Sequence, residues 1–275
     1  MLLLALALQF HDGHIGHDRM LRFLCAGHGA PTVVVEQGMG ISAEETFARQ
    51  PPVGWAVVFP KIAAVTRICV YDRAGLGSSS KLSAPATSLD AAHDLLALLR
   101  AERIQPPLVL AGQSLGGMNV LMFAGTYADW VKGVVLVDSA QPQQQHRFAQ
   151  VLPPRSADES EFQRGFRDGP AAPQAGEWFN FPANSQLMQQ LPSLGNKPLI
   201  VLTRDPNHPT PEGPLPAQWW SLTEPVWQQL QVELTGLSTN SKHRVVEHAG
   251  HNIQFEQPQV VVDAILDVVG QVRAR

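Results

Sequence analysis

The sequence predicts an α/β fold, a mainly parallel sheet with helices on both faces. Short, continuous apolar stretches rich in β-branched residues alternate with helical segments from about residue 31 onward, the pattern of parallel strands covered on both sides. The stretch "LVLAGQSLGGMNVLMFAG" (108–125) sets a serine between glycines where one such strand hands over to a helix. The alternation is interrupted once, over residues 141–195, and then resumes.

Each element has a local reason. "MLLLALALQF" (1–10) reads as a first strand: its apolar run is far too short to span a bilayer. It also lacks the basic flank and small-residue cleavage site of a secretory leader. A cytoplasmic location is therefore expected, or a secreted or periplasmic one if the run is a leader remnant. "PTVVVEQG" (31–38) is a buried strand ended by glycine, "WAVVFPKIAAV" (55–65) a helix with an internal proline, and "RICVYD" (67–72) a strand. "SLDAAHDLLALLRAER" (88–103) is an amphipathic helix that Ser88 can cap. "PLVLAG" (107–112) is a strand, "GGMNVLMFAGTYADW" (116–130) a helix and "VKGVVLVDSA" (131–140) a strand.

Residues 141–195, rich in Gln, Pro, Gly and charge, carry weak helical patches such as "RSADESEFQRGF" (155–166) and read as an inserted cap or lid. The core is then residues 1–140 and 196–275. "KPLIVLTRD" (197–205) resumes the sheet, a Pro-rich loop (206–216) precedes a helix at 223–237, "HRVVEHAG" (243–250) is the last strand, and "PQVVVDAILDVVGQVRAR" (258–275) the last helix, with Pro258 in its first turn.

Composition narrows the functional classes. The chain has 275 residues, 44% of them hydrophobic and 16% charged, which suits a folded globular protein rather than a disordered one. A net charge of −4 without a long basic run argues against nucleic acid as the main partner. Nothing calls for stable membrane insertion, and the oligomeric state is not legible. Cys25 and Cys69 form no CxxC pattern; each falls in a strand-like stretch and reads as a buried, inert thiol. His11, His14 and His17 match no zinc-binding spacing and read as solvated turn residues, so no metal is expected.

Gly112-Gln113-Ser114-Leu115-Gly116 has the form G-x-S-x-G. A nucleophile on a sharp strand-to-helix turn needs glycine two residues before and after, where a side chain would collide with the neighbouring backbone. Ser114 is thus the candidate nucleophile. A serine hydroxyl needs a base, and the base an orienting acid. His251, between the last strand and the last helix, is the candidate base; His248 lies within or at the end of that strand. Two acids remain open: Asp205, after "PLIVLT", is preferred, and Asp138, ending "GVVLVD", is the alternative. The backbone amides of Leu115 and of Met39 in "EQGMG" are candidate oxyanion donors. Gln37 and Gly38 beside them, with Trp178, Phe179 and Trp219, are candidates for the substrate pocket.

With these residues in place, the chain resembles the α/β-hydrolase superfamily over nearly its whole length. "TVVVEQGMG", "RICVYDRAGLGSSS", the elbow segment, "PLIVLTRD" and "AGHNIQFEQPQVVVDAI" fall in the family's order. The resemblance implies an eight-stranded, mainly parallel sheet, a lid after the sixth strand, and structural rather than catalytic roles for Asp72 and Arg73 in "YDRAGLGSS". Two departures stand out: Gln37-Gly38 replaces the frequent His-Gly, and Thr203-Arg204-Asp205-Pro206 replaces the usual G-x-x-D. The expected function is a serine hydrolase cleaving small-to-medium carboxylic esters without a cofactor. The rivals are an aminopeptidase of the same fold, with Asp158, Glu159 and Glu161 as amine-binding candidates, another amide, thioester or C–C hydrolase of that fold, a cofactor-free haloperoxidase-like enzyme using the same residues, and a non-enzymatic receptor-like module.

Overall fold

The structure, a computed structural model, describes residues 9–16, 18–189, 193–209 and 215–275. The strand expected at residues 1–8 and the role of His17 lie outside them.

Eight strands form one sheet: β1 (His11–His14), β2 (Met20–Ala26), β3 (Thr32–Glu36), β4 (Ile68–Tyr71), β5 (Leu108–Gln113), β6 (Val131–Val137), β7 (Leu199–Arg204) and β8 (Ser241–Val246). Their order is β1-β2-β4-β3-β5-β6-β7-β8, with β1, β2 and β4 paired antiparallel and the rest parallel. β5 lies at the centre, so the elbow that follows it opens at the carboxyl edge of the sheet between neighbours on both sides.

The period-two alternation of the strands divides the core. Val34, Leu110 and Leu136 face one way, onto α3 (Ser88–Ala101) and α4 (Leu115–Thr126). Val33, Val35, Val109 and Val135 face the other, onto α2 (Trp55–Ala63) and α10 (Pro258–Arg273), which bring Trp55, Phe59, Val261 and Ile265. Burial on both faces is why these strands read as unbroken apolar runs.

Short α1 (Ala43–Ala48), not foreseen in the sequence, is capped by Ser42. Helix α3 is capped by Thr87 rather than Ser88: the Thr87 side chain takes the Asp90 amide, and Asp90 returns a bond to the Thr87 amide. Ser88 is instead buried, its hydroxyl donating to Asn119 Oδ1 at 2.7 Å.

Between β6 and β7 lie α5 (Gln144–Val151), α6 (Glu161–Asp168) and α7 (Phe181–Met188), none of which extends the sheet. They are followed, after β7, by α8 (Ala217–Leu234), which begins six residues before the helix expected at 223 because it runs through Pro225. Packing outweighs the lost backbone bond: α8 places Trp219, Trp220 and Trp227 against Phe148 and Phe166 of α5 and α6 in an apolar cluster separate from the two sheet cores. Four-residue α9 (Ile253–Glu256) leads into α10.

Two expectations are corrected. Cys25 and Cys69 are not free thiols but a disulfide, because antiparallel β2 and β4 set them directly opposite each other. His11 and His14 lie on β1 rather than in a turn, and His11 packs edge-on against Phe23.

Glycine is required at the elbow by contact. A Cβ on Gly112 would lie 2.3 Å from the Gly116 carbonyl oxygen, and one on Gly116 2.4 Å from that of Glu36. Both obstacles are backbone, which does not step aside. Gly116→Ala is expected to destabilise the fold by at least about 2 kcal/mol, read as a lower urea midpoint at unchanged slope.

Candidate active site

Ser114 stands between β5 and α4 at φ 53°, ψ −123°, a left-handed conformation costly for a residue with a Cβ. Its amide donates to Val137 O at 3.3 Å, and its carbonyl accepts from Gly117 N at 2.9 Å and Ala140 N at 3.0 Å. The turn is therefore held by the strand next door as well as by its own helix. Leu115 is the first residue of α4, so its amide has no carbonyl within the helix to bond.

His251 is carried by the loop between β8 and α9. Its Nδ1 lies 2.6 Å from Asp138 Oδ2. The carboxylate only accepts, so the proton sits on Nδ1 and Nε2 carries the free lone pair. Gln113, immediately before the nucleophile, donates from Nε2 to the His251 backbone carbonyl at 3.2 Å and lies 3.3 Å from the ring Nε2. The carbonyl fixes which end of the Gln113 amide faces this way. Trp227 meets the imidazole edge-on at 5.7 Å.

Asp138 follows β6 at φ 41° and is fully buried. Besides His251, Oδ1 accepts from Trp227 Nε1 at 2.8 Å and from the Arg204 amide at 3.0 Å, and Arg204 Nη1 lies 3.3 Å from Oδ2. Burial alone would push this carboxyl's pKa up. The Arg204 charge and the bond to His251 outweigh it and hold the pKa below the usual carboxylate range. Arg204 is itself shared with Glu224, at 2.6 Å, and lies over the Trp227 ring at 4.5 Å.

The preferred acid of the sequence reading lines the same cavity, but the imidazole is bonded to Asp138 instead. Asp205 accepts from the amides of His248 at 2.9 Å and Asn207 at 2.8 Å, while its own amide donates to Ala249 O at 2.8 Å. It braces the loop that carries His251, and these amides lower its pKa. β7 sits one place farther from β5 than β6 does, and it is Asp138, after β6, whose carboxylate meets the imidazole. Glu256 holds the same loop, accepting from the Gly250 amide at 3.0 Å.

Ser114, His251, Met39 and Leu115 line one cavity of about 450 Å³, whose walls include Phe148, Phe166, Phe181, Trp220 and Trp227. The other pocket candidates are not on it. Trp178 and Phe179 border a separate small hollow beside Arg73, and Trp219 is packed in the aromatic cluster with α5 and α6. Gln37 is buried, and Gly38 faces the Gln113 side chain rather than the cavity. Sequence reasoning passed over Gln113, Arg204 and Trp227 as site residues. For Arg204, its place beside Asp205 at the end of a strand was a usable signal; for Trp227 nothing in the helix pattern set it apart.

A central parallel sheet, a strained serine at its carboxyl edge and a carboxylate-bound histidine on the same cavity define a hydrolase. A family model described as the alpha/beta hydrolase family matches residues 18–264, and the chain belongs to that family. It is 25% identical over 251 residues to the uncharacterized protein YqjL of Bacillus subtilis, covering 88% of this chain and 85% of that protein. A thermophilic esterase from Thermogutta terrifontis superposes with a TM-score of 0.64 at 21% identity, covering 96% of this chain and 99% of that one. The epoxide hydrolase CorEH superposes at 0.63 with 17% identity over 96% and 99% of the two chains. Among the described residues no helix is long and apolar enough to cross a membrane.

The Asp138 pKa has a sign that can be read in stability. A carboxyl whose folded pKa lies below its unfolded value of about 3.9 stabilises the fold above that value, and the contribution is lost as pH falls through the folded pKa. Asp138→Asn is therefore expected to lower stability by about 1–3 kcal/mol at neutral pH. The gap should close below about pH 4, as followed by chemical denaturation from neutral to acid pH.

Proposed function

We propose that the chain is a serine hydrolase that cleaves small-to-medium carboxylic esters through an acyl-enzyme on Ser114. The observation that carries this reading is the Asp138–His251 pair opening on the cavity that holds the strained Ser114. His251 Nε2 takes the Ser114 proton as Oγ attacks the ester carbonyl. The amides of Leu115 and Met39 receive the developing oxyanion. Collapse expels the alcohol, which takes its proton from the imidazolium. Water, deprotonated by the same histidine, then releases the acid and restores the serine. Asp138 holds the imidazole in the tautomer the first step needs and stabilises the imidazolium. No metal or organic cofactor enters these steps.

The cavity supports the choice of substrate. Its aromatic wall suits an apolar acyl group, and α5 and α6 supply part of that wall, in keeping with a lid role for residues 141–195. The serine at position 114 supports ester chemistry over the epoxide opening of the structural relative, since acyl transfer is what a serine with a histidine base performs. The acidic residues weighed as amine anchors do not support a peptidase: Glu159 is spent on Arg167 at 2.6 Å, and neither Asp158 nor Glu161 lines the cavity.

A fluorophosphonate probe is expected to label wild-type protein at Ser114 and to leave Ser114→Ala unlabelled. On a series of p-nitrophenyl esters, Asp138→Asn should lose about 10³–10⁴ in kcat, while Asp205→Asn should stay within about tenfold of wild type. Unlabelled wild type that is silent on every ester would overturn the acyl-transfer reading, and a larger loss in Asp205→Asn would return that residue to the acid's place.

A further inference from the structure

We propose that Glu177 and Arg73 are positioning residues for the oxyanion turn, so that docking of the segment between β6 and β7 is what aims the Met39 amide into the cavity. The inference rests on the acyl-transfer reading above and names a control on that same site.

The Arg73 guanidinium, two residues past β4, is almost wholly buried and engages the turn after β3 at two successive carbonyls. Nη1 donates to Gln37 O at 2.7 Å, and Nη2 to Gly38 O at 3.0 Å. The second bond fixes the donor. A peptide unit is planar and trans, so its carbonyl and its N–H point in opposite directions. The unit whose carbonyl is Gly38 O carries the Met39 N–H. With that carbonyl pulled onto Arg73, the Met39 amide is turned to the opposite side, where Gly38 approaches the elbow closely enough that a Cβ on it would stand 3.4 Å from the Ser114 Cβ. Among the described residues the Met39 amide donates no backbone bond.

Arg73 is held in turn by two carboxylates. Glu36 Oε2, from the end of β3, lies at 3.4 Å. The closer partner is Glu177, with Oε1 2.6 Å from Arg73 Nε and Oε2 3.1 Å from Nη2. Glu177 Oε2 also accepts from the Gly40 amide at 3.0 Å, so the carboxylate grips the far side of the same turn. Met39 thus sits between a carbonyl tied to Arg73 and an amide tied to Glu177.

Glu177 does not belong to the sheet. It comes from the segment between β6 and β7, from a tight turn closed by mutual bonds between Gln174 and Glu177, with Ala175 at φ 49°. That turn packs backbone to backbone on the residues after Arg73: a Cβ on Gly176 would lie 2.3 Å from Gly75 O. The inserted segment therefore reaches the oxyanion turn through one buried carboxylate. Without it, the Arg73 guanidinium keeps only the more distant Glu36 among its carboxylates and loses its fixed reach to both carbonyls.

The test uses the whole chain and the ester and phosphonate assays of the preceding section. Glu177→Gln and Arg73→Lys are each expected to lose about tenfold to a hundredfold in kcat, below the full loss of a donor, with KM within about twofold. A trifluoromethyl ketone, which forms a tetrahedral oxyanion on the serine, should weaken by the same factor as kcat, while the affinity of the product carboxylate stays put. The double variant should lose little more than either single one. Glu177→Asp, which keeps the charge one methylene short, should fall between. Glu159→Gln breaks another buried ion pair of the same segment without touching the turn, and it should cost stability but leave kcat and ketone affinity as in wild type. Thermal unfolding followed in parallel separates loss of fold, and if Glu177→Gln does not fold, Glu177→Asp carries the same comparison. Wild-type kcat and ketone affinity in a folded Glu177 variant overturn this proposal alone. An equal loss in Glu159→Gln does so too. Wild type that takes neither phosphonate nor ester overturns the acyl-transfer reading and this proposal with it.

Discussion

The closest constraint in this molecule is steric. Three backbone segments meet where β5 turns into α4: the elbow itself, the end of β3 with its Glu36 and Gln37 carbonyls, and the Ser139 region after β6. A Cβ on Gly116 would collide with the first neighbour and one on Gly117 with the second, at 2.0 Å from Ser139 Oγ. Because these approaches leave no slack, the left-handed Ser114, the turn after β3 and the residues after β6 are located relative to one another by close approach of backbone and of the short Ser139 side chain. The strain at Ser114 is sustained by the bonds its carbonyl accepts from the Gly117 and Ala140 amides.

Onto this frame the molecule builds two buried charge clusters of opposite design. At Asp138 one carboxylate collects donors: an indole, a backbone amide, a guanidinium and an imidazole. The sum favours the ionised form in spite of burial. At Arg73 the roles are exchanged, and one guanidinium collects acceptors: two carboxylates and two backbone carbonyls. Here Glu36, buried and bonded also to Tyr71 and Asn119, has its pKa pushed up by burial against the pull of Arg73. Removing one partner from such a buried cluster leaves the others unpaired, so each cluster both fixes geometry and penalises its own loss. One cluster fixes the His251 imidazole and the other the turn after β3, from opposite flanks of β5.

What the sequence made legible follows from which forces are local. The parallel strands, the elbow glycines and the identity of Ser114 and His251 as the pair to examine depend on patterns a few residues long. The choice between Asp138 and Asp205 depends on which strand tip lies nearer the imidazole, a matter of sheet order that spacing along the chain does not encode. The disulfide between Cys25 and Cys69 was invisible for the same reason, being a consequence of register between β2 and β4. The helix at 217–234 was misjudged at its start because Pro225 looks locally like a boundary, whereas the tryptophans on either side of it pack together with α5 and α6. Trp178, Phe179 and Trp219 are aromatic and near the expected lid, which is why they suggested a pocket wall. Only their neighbours in space reveal that they serve packing.

The position of Glu177 follows from the same division between local and distant forces. A sheet edge can hold a serine, a histidine and an acid on the connections that leave β5, β8 and β6. The turn after β3 has no such support on its outer side: β4, its neighbour there, is followed two residues on by Arg73, a cation whose burial demands counter-charge. Glu36 on β3 supplies part of it from beneath, at 3.4 Å. The closer counter-charge comes from Glu177, in the segment between β6 and β7. An insertion that merely covered the cavity would need apolar contact and nothing more. This one delivers a carboxylate 2.6 Å from a guanidinium that grips the turn after β3, and so the part of the chain that walls the cavity of Ser114 and His251 is also tied to the backbone around Met39.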